Sequence, residues 1–230
     1  MLAPKASLTQ PYIPSVNSAL SIAIVGLLLG VRHAVDPDHL VAVSTIATRA
    51  TSFRRAAGVG ALWGIGHTLT ILAVGGAIVL FRVVISPRVG LALELSVALM
   101  LILLGFQNLV SARTGNPPAP SVARPFLVGM VHGMAGSAAV VLLVLATVSD
   151  PWLALAYLAL FGLGTVLGMI VVTATIALPA SLALAKMRHA RRWLTIATGV
   201  ASVTLGVLLA SELADRQKGV LSANPVWTPR

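Results

Sequence analysis

Six long apolar stretches, separated by short polar segments, constrain the fold of this chain more than any other feature. Only 10% of the residues are charged, against about 25% in a typical soluble domain, and the mean hydropathy is +0.96. A backbone in lipid must satisfy its own hydrogen bonds, so continuous apolar runs predict helices, whereas the strands of a membrane barrel would alternate. The predicted spans are residues 18–48, 56–81, 91–110, 125–148, 152–178 and 193–211.

These stretches predict an all-α integral membrane protein, a six-helix bundle, or seven helical segments if the first span is split. We predict one transmembrane domain over residues 1–230, built from halves at about 18–110 and 125–211. The proline-containing segment 111–124 is the predicted linker. The net charge of +10 falls mainly in the short segments between spans, as orientation in a bilayer requires. It therefore indicates contact with the lipid bilayer and no nucleic-acid partner.

The first predicted span is too long for one straight crossing. Its 31 residues would form a helix of about 46 Å, whereas the hydrocarbon core is about 30 Å thick. Pro37 cannot donate a hydrogen bond to the carbonyl of His33, and it disfavours helical geometry at Asp36. We therefore predict one span with a break near Pro37, with two short spans as the alternative.

An internal repeat links the two halves of the chain. Gly30–Val35 resembles Gly129–Met134 at an offset of 99 residues, and Gly64–Gly66 resembles Gly162–Gly164 at an offset of 98. Each half holds three predicted spans, so the second half would enter the membrane from the opposite side. Such inverted repeats place substrate sites near the middle of the membrane, where broken helices meet.

Four ionisable residues, His33, Asp36, Asp38 and His39, occupy seven consecutive positions at the predicted break. One charged group at the bilayer centre costs about 2.5–3.5 kcal/mol on insertion scales, so such residues indicate a functional site. The chain contains no cysteine, which leaves nitrogen and oxygen as metal ligands. Neutral imidazole suits nickel, cobalt, copper and zinc, and carboxylates add oxygen donors and negative charge.

Two further histidines are candidates for the same site. His67 lies in the following span and would be a ligand from outside the motif. His132 is the counterpart of His33 in the second half and would line the exit side of an ion path. Glu94 and His189 lie near the ends of spans, and we expect them to be solvated.

Structural explanations compete with metal binding at each position. Asp36 and Asp38 can neutralise Arg32, and Asp38 can cap the helix that restarts after the break. The two histidines of the motif can make structural hydrogen bonds without any metal. His67 can be a hydrogen-bonded core histidine, and His132, among small residues, can serve in helix packing.

The segment Gly30–Val43, with its His-x4-Asp-His pattern, resembles the signature of the nickel/cobalt transporter family. Gly66–Thr68 resembles the second histidine motif of that family. The stretch Val128–Ala139 is similar to the shorter branch of membrane urease accessory proteins. The three motifs lie in the first, second and fourth predicted spans, so the resemblance extends over most of the chain.

This resemblance implies movement of nickel or cobalt ions across the cytoplasmic membrane. By analogy with the family, His33, Asp38, His39 and His67 would bind the metal. The ion is a transported substrate, so no permanent cofactor is expected, and a homo-oligomer is compatible with this function.

The leading functional prediction is a secondary permease that takes up Ni²⁺ or Co²⁺ for metalloenzymes such as urease. Efflux of the same ions is one alternative, and a non-transporting membrane accessory protein for metal delivery is another. The sequence has no glycine-rich phosphate-binding loop with lysine, and no nucleophile arrangement that would favour an enzyme.

Overall fold

A computed structural model describes residues 16–47, 52–116, 121–148, 150–182, 188–214, 222 and 226–227. These residues form seven helices, and no strand occurs among them. The all-α prediction is therefore confirmed for this part of the chain. The helices are α1 (Val16–His33), α2 (Pro37–Ala47), α3 (Phe53–Phe81), α4 (Pro87–Thr114), α5 (Ala123–Thr147), α6 (Pro151–Leu182) and α7 (Arg188–Leu213).

Most of these helices are long enough to cross a bilayer. Four of them, α3, α4, α6 and α7, contain apolar windows long enough for a membrane span. The consecutive helices α1 and α2 make a fifth crossing if they are taken together. With 25 residues, α5 is about 37 Å long and exceeds the hydrocarbon thickness as well. The protein is thus an integral membrane helical bundle.

The first span is broken where the sequence predicts. The helix α1 ends at His33, α2 begins at Pro37, and the two axes differ by 58°. Proline suits the first position of a helix because the N–H it lacks has no partner there. The carbonyl of Asp36 opens α2 by accepting from the N–H of Leu40 at 3.0 Å. The 11 residues of α2 extend only about 16 Å, which is too short for a separate crossing.

Several helices extend beyond the apolar runs that predicted them. The helix α4 starts four residues before its predicted span, where Ser86 accepts a hydrogen bond from the N–H of Val89 at 3.4 Å. It ends only at Thr114, and Gly115 follows in the left-handed conformation with φ of 74°. The predicted linker therefore begins inside α4, and residues 117–120 lie outside the described part.

The helices pack so that the break lies between two apolar clusters. The helix α3 contacts both α5 and α6, α1 contacts α6, and α4 contacts α7. One cluster includes Ile71, Leu158 and Phe161. The other includes Trp63 and Leu101, with further residues of α2 and α5. At the break, His33 contacts Phe161 of the first cluster and His39 contacts Trp63 of the second.

Close glycine contacts occur at equivalent positions of the two halves. A methyl group on Gly30 would lie 2.0 Å from the carbonyl oxygen of Phe161, and one on Gly129 would lie 2.1 Å from that of Trp63. Gly129 follows Gly30 by 99 residues, and Phe161 follows Trp63 by 98 residues. These are the two offsets of the sequence repeat. Two further close contacts are related to each other by the same offsets. They join Gly164 to Leu27 and Gly66 to Phe126. The packing is thus consistent with a repeat, and its inverted topology stays a prediction.

Candidate metal centre

Four of the five histidines of the chain form one compact cluster at the break. His39 is its centre, with ring centroids 4.5 Å from His33, 5.1 Å from His67 and 4.2 Å from His132. The exposed fractions of His39, His67 and His132 are 2%, 0% and 2%. His67 is the central residue of α3, so the cluster lies near half the depth of a membrane-spanning helix.

His33, His39 and His67 form a first triad whose ligand atoms all lie within 4.8 Å of one another. The Nε2 atoms of His33 and His67 are 3.2 Å apart. Two nitrogens about 2.1 Å from one ion are about 3.0–3.4 Å apart at octahedral or tetrahedral angles. The spacing of these two nitrogens therefore fits joint binding of a metal ion.

Asp36 reaches the cluster through His33. Its Oδ2 lies 2.8 Å from Nδ1 of His33, and its side chain is 45% exposed. When Nδ1 donates to this carboxylate, the lone pair of Nε2 faces His67. Carboxylates commonly orient metal-binding histidines in this way. Asp36 thus contacts the cluster through His33 and would orient that ring if it bound a metal ion.

Asp38, His39 and His132 form a second triad, also with ligand atoms within 4.8 Å of one another. Oδ2 of Asp38 lies 2.9 Å from Nε2 of His132, and Oδ1 lies 3.2 Å from Nδ1 of His39. Oδ1 also accepts from the backbone N–H of His39 at 3.1 Å. His39 belongs to both triads, so the two groups are adjacent and share one imidazole.

Three ring nitrogens of the cluster are buried without a hydrogen-bond partner among the described residues. They are Nε2 of His39, Nδ1 of His67 and Nδ1 of His132. A buried polar atom without a partner costs about 1–3 kcal/mol, so native structures contain few of them. A neutral imidazole nitrogen in this state offers a lone pair to a cation. The donor set therefore fits a metal ion that prefers imidazole.

The competing structural roles can now be compared with these contacts. The carboxylate of Asp36 contacts His33, while its backbone carbonyl begins α2. The carboxylate of Asp38 joins α2 to α5 through His132. Both acids thus interact with imidazoles of the cluster. The sixth candidate, His132, is not only a packing residue, because its ring lies beside that of His39.

A cavity of about 360 Å³ adjoins the cluster. Three of the six acidic residues of the chain, Asp36, Asp38 and Glu94, line it. Its apolar wall includes Leu205 and Leu209 of α7. Glu94 thus differs from the expectation of a solvated residue at a span end, because α4 begins earlier than its apolar run and places Glu94 against the cavity.

Two aromatic residues of the site were not predicted from the sequence. The rings of Trp63 and His39 are nearly parallel, with centroids 6.1 Å apart and an interplanar angle of 10°. Phe161 lies against His33 with a centroid distance of 5.3 Å. Both aromatic residues directly precede the Gly-x-Gly segments of the repeat. The offset of 98 residues between them was the signal that could have identified the pair.

Comparisons with known proteins identify similar sequences. Residues 19–116 match the NicO family, which is described as a high-affinity nickel-transport protein. The chain is also similar to the urease accessory protein UreH of Bacillus sp. (strain TB-90), with 37% identity over 205 residues. This similarity covers 82% of the present chain and 90% of UreH. The chain belongs to the nickel/cobalt transporter family.

The predicted resemblance to this family, and to its urease accessory branch, is thereby confirmed. The segment that matches NicO contains His33, Asp36, Asp38, His39 and His67. His132 lies outside that segment, and its link to the site comes from the fold. No solved structure matches the chain.

Proposed function

We propose that this protein is a secondary permease that carries Ni²⁺ or Co²⁺ into the cell across the cytoplasmic membrane. The buried cluster of four imidazoles around His39 is the observation that carries the proposal. Family membership supports nickel as the transported ion. The name of the relative UreH supports urease as one enzyme that receives the metal.

The ion first enters the cavity beside the break. The carboxylates of Asp36 and Asp38 line this cavity and attract a divalent cation, because charges in a cleft with low-dielectric walls raise the local ion concentration. The ion then exchanges water for the nitrogens of His33, His39 and His67. Imidazole is a favourable ligand for nickel and cobalt, whereas magnesium and calcium prefer oxygen.

The shared position of His39 suggests how the ion moves on. An ion held by His33, His39 and His67 can exchange two of these ligands for Asp38 and His132 while it stays bound to His39. At every stage the ion keeps protein ligands, which replace the hydration that it loses in the membrane. The two triads thus act as consecutive stations of one path.

Uptake of radioactive nickel by liposomes that contain the purified protein tests the proposal. The variant His39→Ala removes the imidazole common to both triads, and we expect it to abolish uptake. His189→Ala is the matched control, because His189 is the fifth histidine and is exposed at the start of α7. Both variants are first compared with the wild type by size-exclusion chromatography. Wild-type uptake by His39→Ala would rule out the site.

Two measurements separate the permease from its alternatives. Expression in cells grown on toxic nickel should increase sensitivity if the protein imports the ion, whereas an exporter would protect the cells. Competition among nickel, cobalt, zinc and manganese in the liposome assay, under an imposed proton gradient, determines selectivity and driving force. An accessory protein without transport activity would bind nickel but leave the liposomes empty.

A further inference from the structure

Glu94 connects the metal cavity to the C-terminal segment of the chain. It lies in the second turn of α4 and lines the same cavity as Asp36 and Asp38. Its Oε1 accepts a hydrogen bond of 2.7 Å from the indole Nε1–H of Trp227. Neither Glu94 nor Trp227 belongs to the histidine motifs.

Trp227 is held on α4 by a second contact one turn away from Glu94. A methyl group on Gly90 would lie 2.2 Å from the indole ring of Trp227. The ring therefore packs against the backbone at Gly90, which has no side chain, while its N–H donates to the carboxylate of Glu94. Residues four apart lie on the same face of a helix. The indole is thus positioned by shape and by a hydrogen bond together.

The surroundings of Glu94 favour a cation. The chain has a net charge of +10, yet half of its acidic residues line this one cavity. Leucines of α7 form the apolar wall, which reduces screening and strengthens charge interactions. His39 and His132 also line this cavity, and their atoms Nε2 and Nδ1, respectively, are buried with no hydrogen-bond partner in the described ranges. Carboxylates and imidazoles with unpartnered nitrogens therefore line the same cavity.

We propose that Glu94 is a further metal-binding residue, which binds the divalent cation in the cavity that leads to the histidines. Trp227 is its positioning residue. The indole N–H fixes the carboxylate so that it faces the cavity, just as outer hydrogen bonds orient ligands in other metal sites. This inference rests on the proposed function, since it concerns the entry of the same ion.

Nickel binding to the detergent-solubilised, full-length protein, prepared without a polyhistidine tag, tests the inference by titration calorimetry. Glu94→Gln keeps an oxygen that can accept from Trp227 but removes the negative charge. We expect it to raise the Kd for Ni²⁺ about tenfold, the lower end of the effects that groups around a metal produce. Glu212→Gln removes the same charge from an exposed position of α7 and should leave the Kd unchanged.

A double-mutant cycle tests the role of Trp227. Trp227→Phe preserves an aromatic ring on Gly90 and removes only the N–H donor. It should raise the Kd about threefold, and the double variant with Glu94→Gln should bind like Glu94→Gln alone, because coupled residues give non-additive effects. Additive effects, or tighter binding by Trp227→Phe, would overturn the positioning role.

The binding assay also separates this inference from the permease itself. If Glu94→Gln binds nickel with the wild-type Kd, Glu94 is not a metal-binding residue, whatever the liposomes report. If the wild type binds nickel and Glu94→Gln binds it more weakly, but no uptake occurs, Glu94 keeps its role and the permease is refuted.

Discussion

Replacement of Gly66 by alanine should separate two helices that carry residues of the candidate metal centre. Gly66 precedes His67 in α3, and a Cβ atom at this position would lie 2.2 Å from the carbonyl oxygen of Phe126 in α5. Ordinary van der Waals contact begins at 3.4 Å, so the two backbones must move apart by about 1.2 Å. The obstructing atom belongs to the backbone of a helix, and therefore no side-chain rotation can relieve the clash.

This displacement should lower both stability and nickel affinity. Overpacking of a close helix contact typically costs about 1–3 kcal/mol. The shift also displaces His67, whose Nε2 atom now lies 3.2 Å from Nε2 of His33. Metal–ligand distances tolerate about 0.2 Å, so a movement several times larger removes one ligand. We therefore expect the Kd for nickel to rise at least tenfold, which corresponds to about 1.4 kcal/mol.

Thermal unfolding in detergent and nickel titration measure the two effects in Gly66→Ala. Gly58→Ala is the matched control, because it adds the same methyl group to α3 where nothing lies within 4 Å. Alanine in a helix is favoured over glycine by about 0.5–1 kcal/mol, so this control should be slightly more stable than the wild type. Wild-type stability and affinity in Gly66→Ala would refute the close contact between α3 and α5.

Two further substitutions test the support of the site. Asp36→Ala removes the acceptor for Nδ1 of His33 and should weaken nickel binding about 10–100-fold in the same titration. Asp36→Asn retains an acceptor oxygen and should therefore lose less nickel affinity than Asp36→Ala. Asn108→Ala should destabilise the protein by about 1–3 kcal/mol in chemical denaturation, because the buried Nδ2 donates to the carbonyl of Thr45 at 3.1 Å and to Thr198 at 3.3 Å. Unchanged values in either experiment would contradict the corresponding contact.

Much of the fold was predictable because its causes are local. Apolar runs longer than the bilayer is thick lead to helices irrespective of their neighbours. Pro37 breaks the first span by removing an N–H from the backbone, and this effect does not depend on tertiary contacts. The ends of α4 were less predictable, since Ser86 and Gly115 end the helix beyond the apolar run. Hydropathy does not report such caps.

The candidate site was predictable to the extent that its residues are neighbours in the chain. His33, Asp38 and His39 lie within one motif, and the internal repeat indicated His132. The different roles of Asp36 and Asp38 were not predictable, because each depends on which imidazole the carboxylate meets after folding. The contact between Glu94 and Trp227 joins residues 133 positions apart, and no local pattern marks such a pair.

The sequence by itself thus determined a helical membrane protein with a polar break at Pro37, since hydropathy and backbone chemistry act over a few residues. Only the tertiary structure decided that His39 belongs to two triads and that three acids line one cavity. The reason is that these neighbours depend on how closely α3 approaches α5 and α1 approaches α6. Glycines at both contacts set those distances, and packing between distant segments determines which side chains meet.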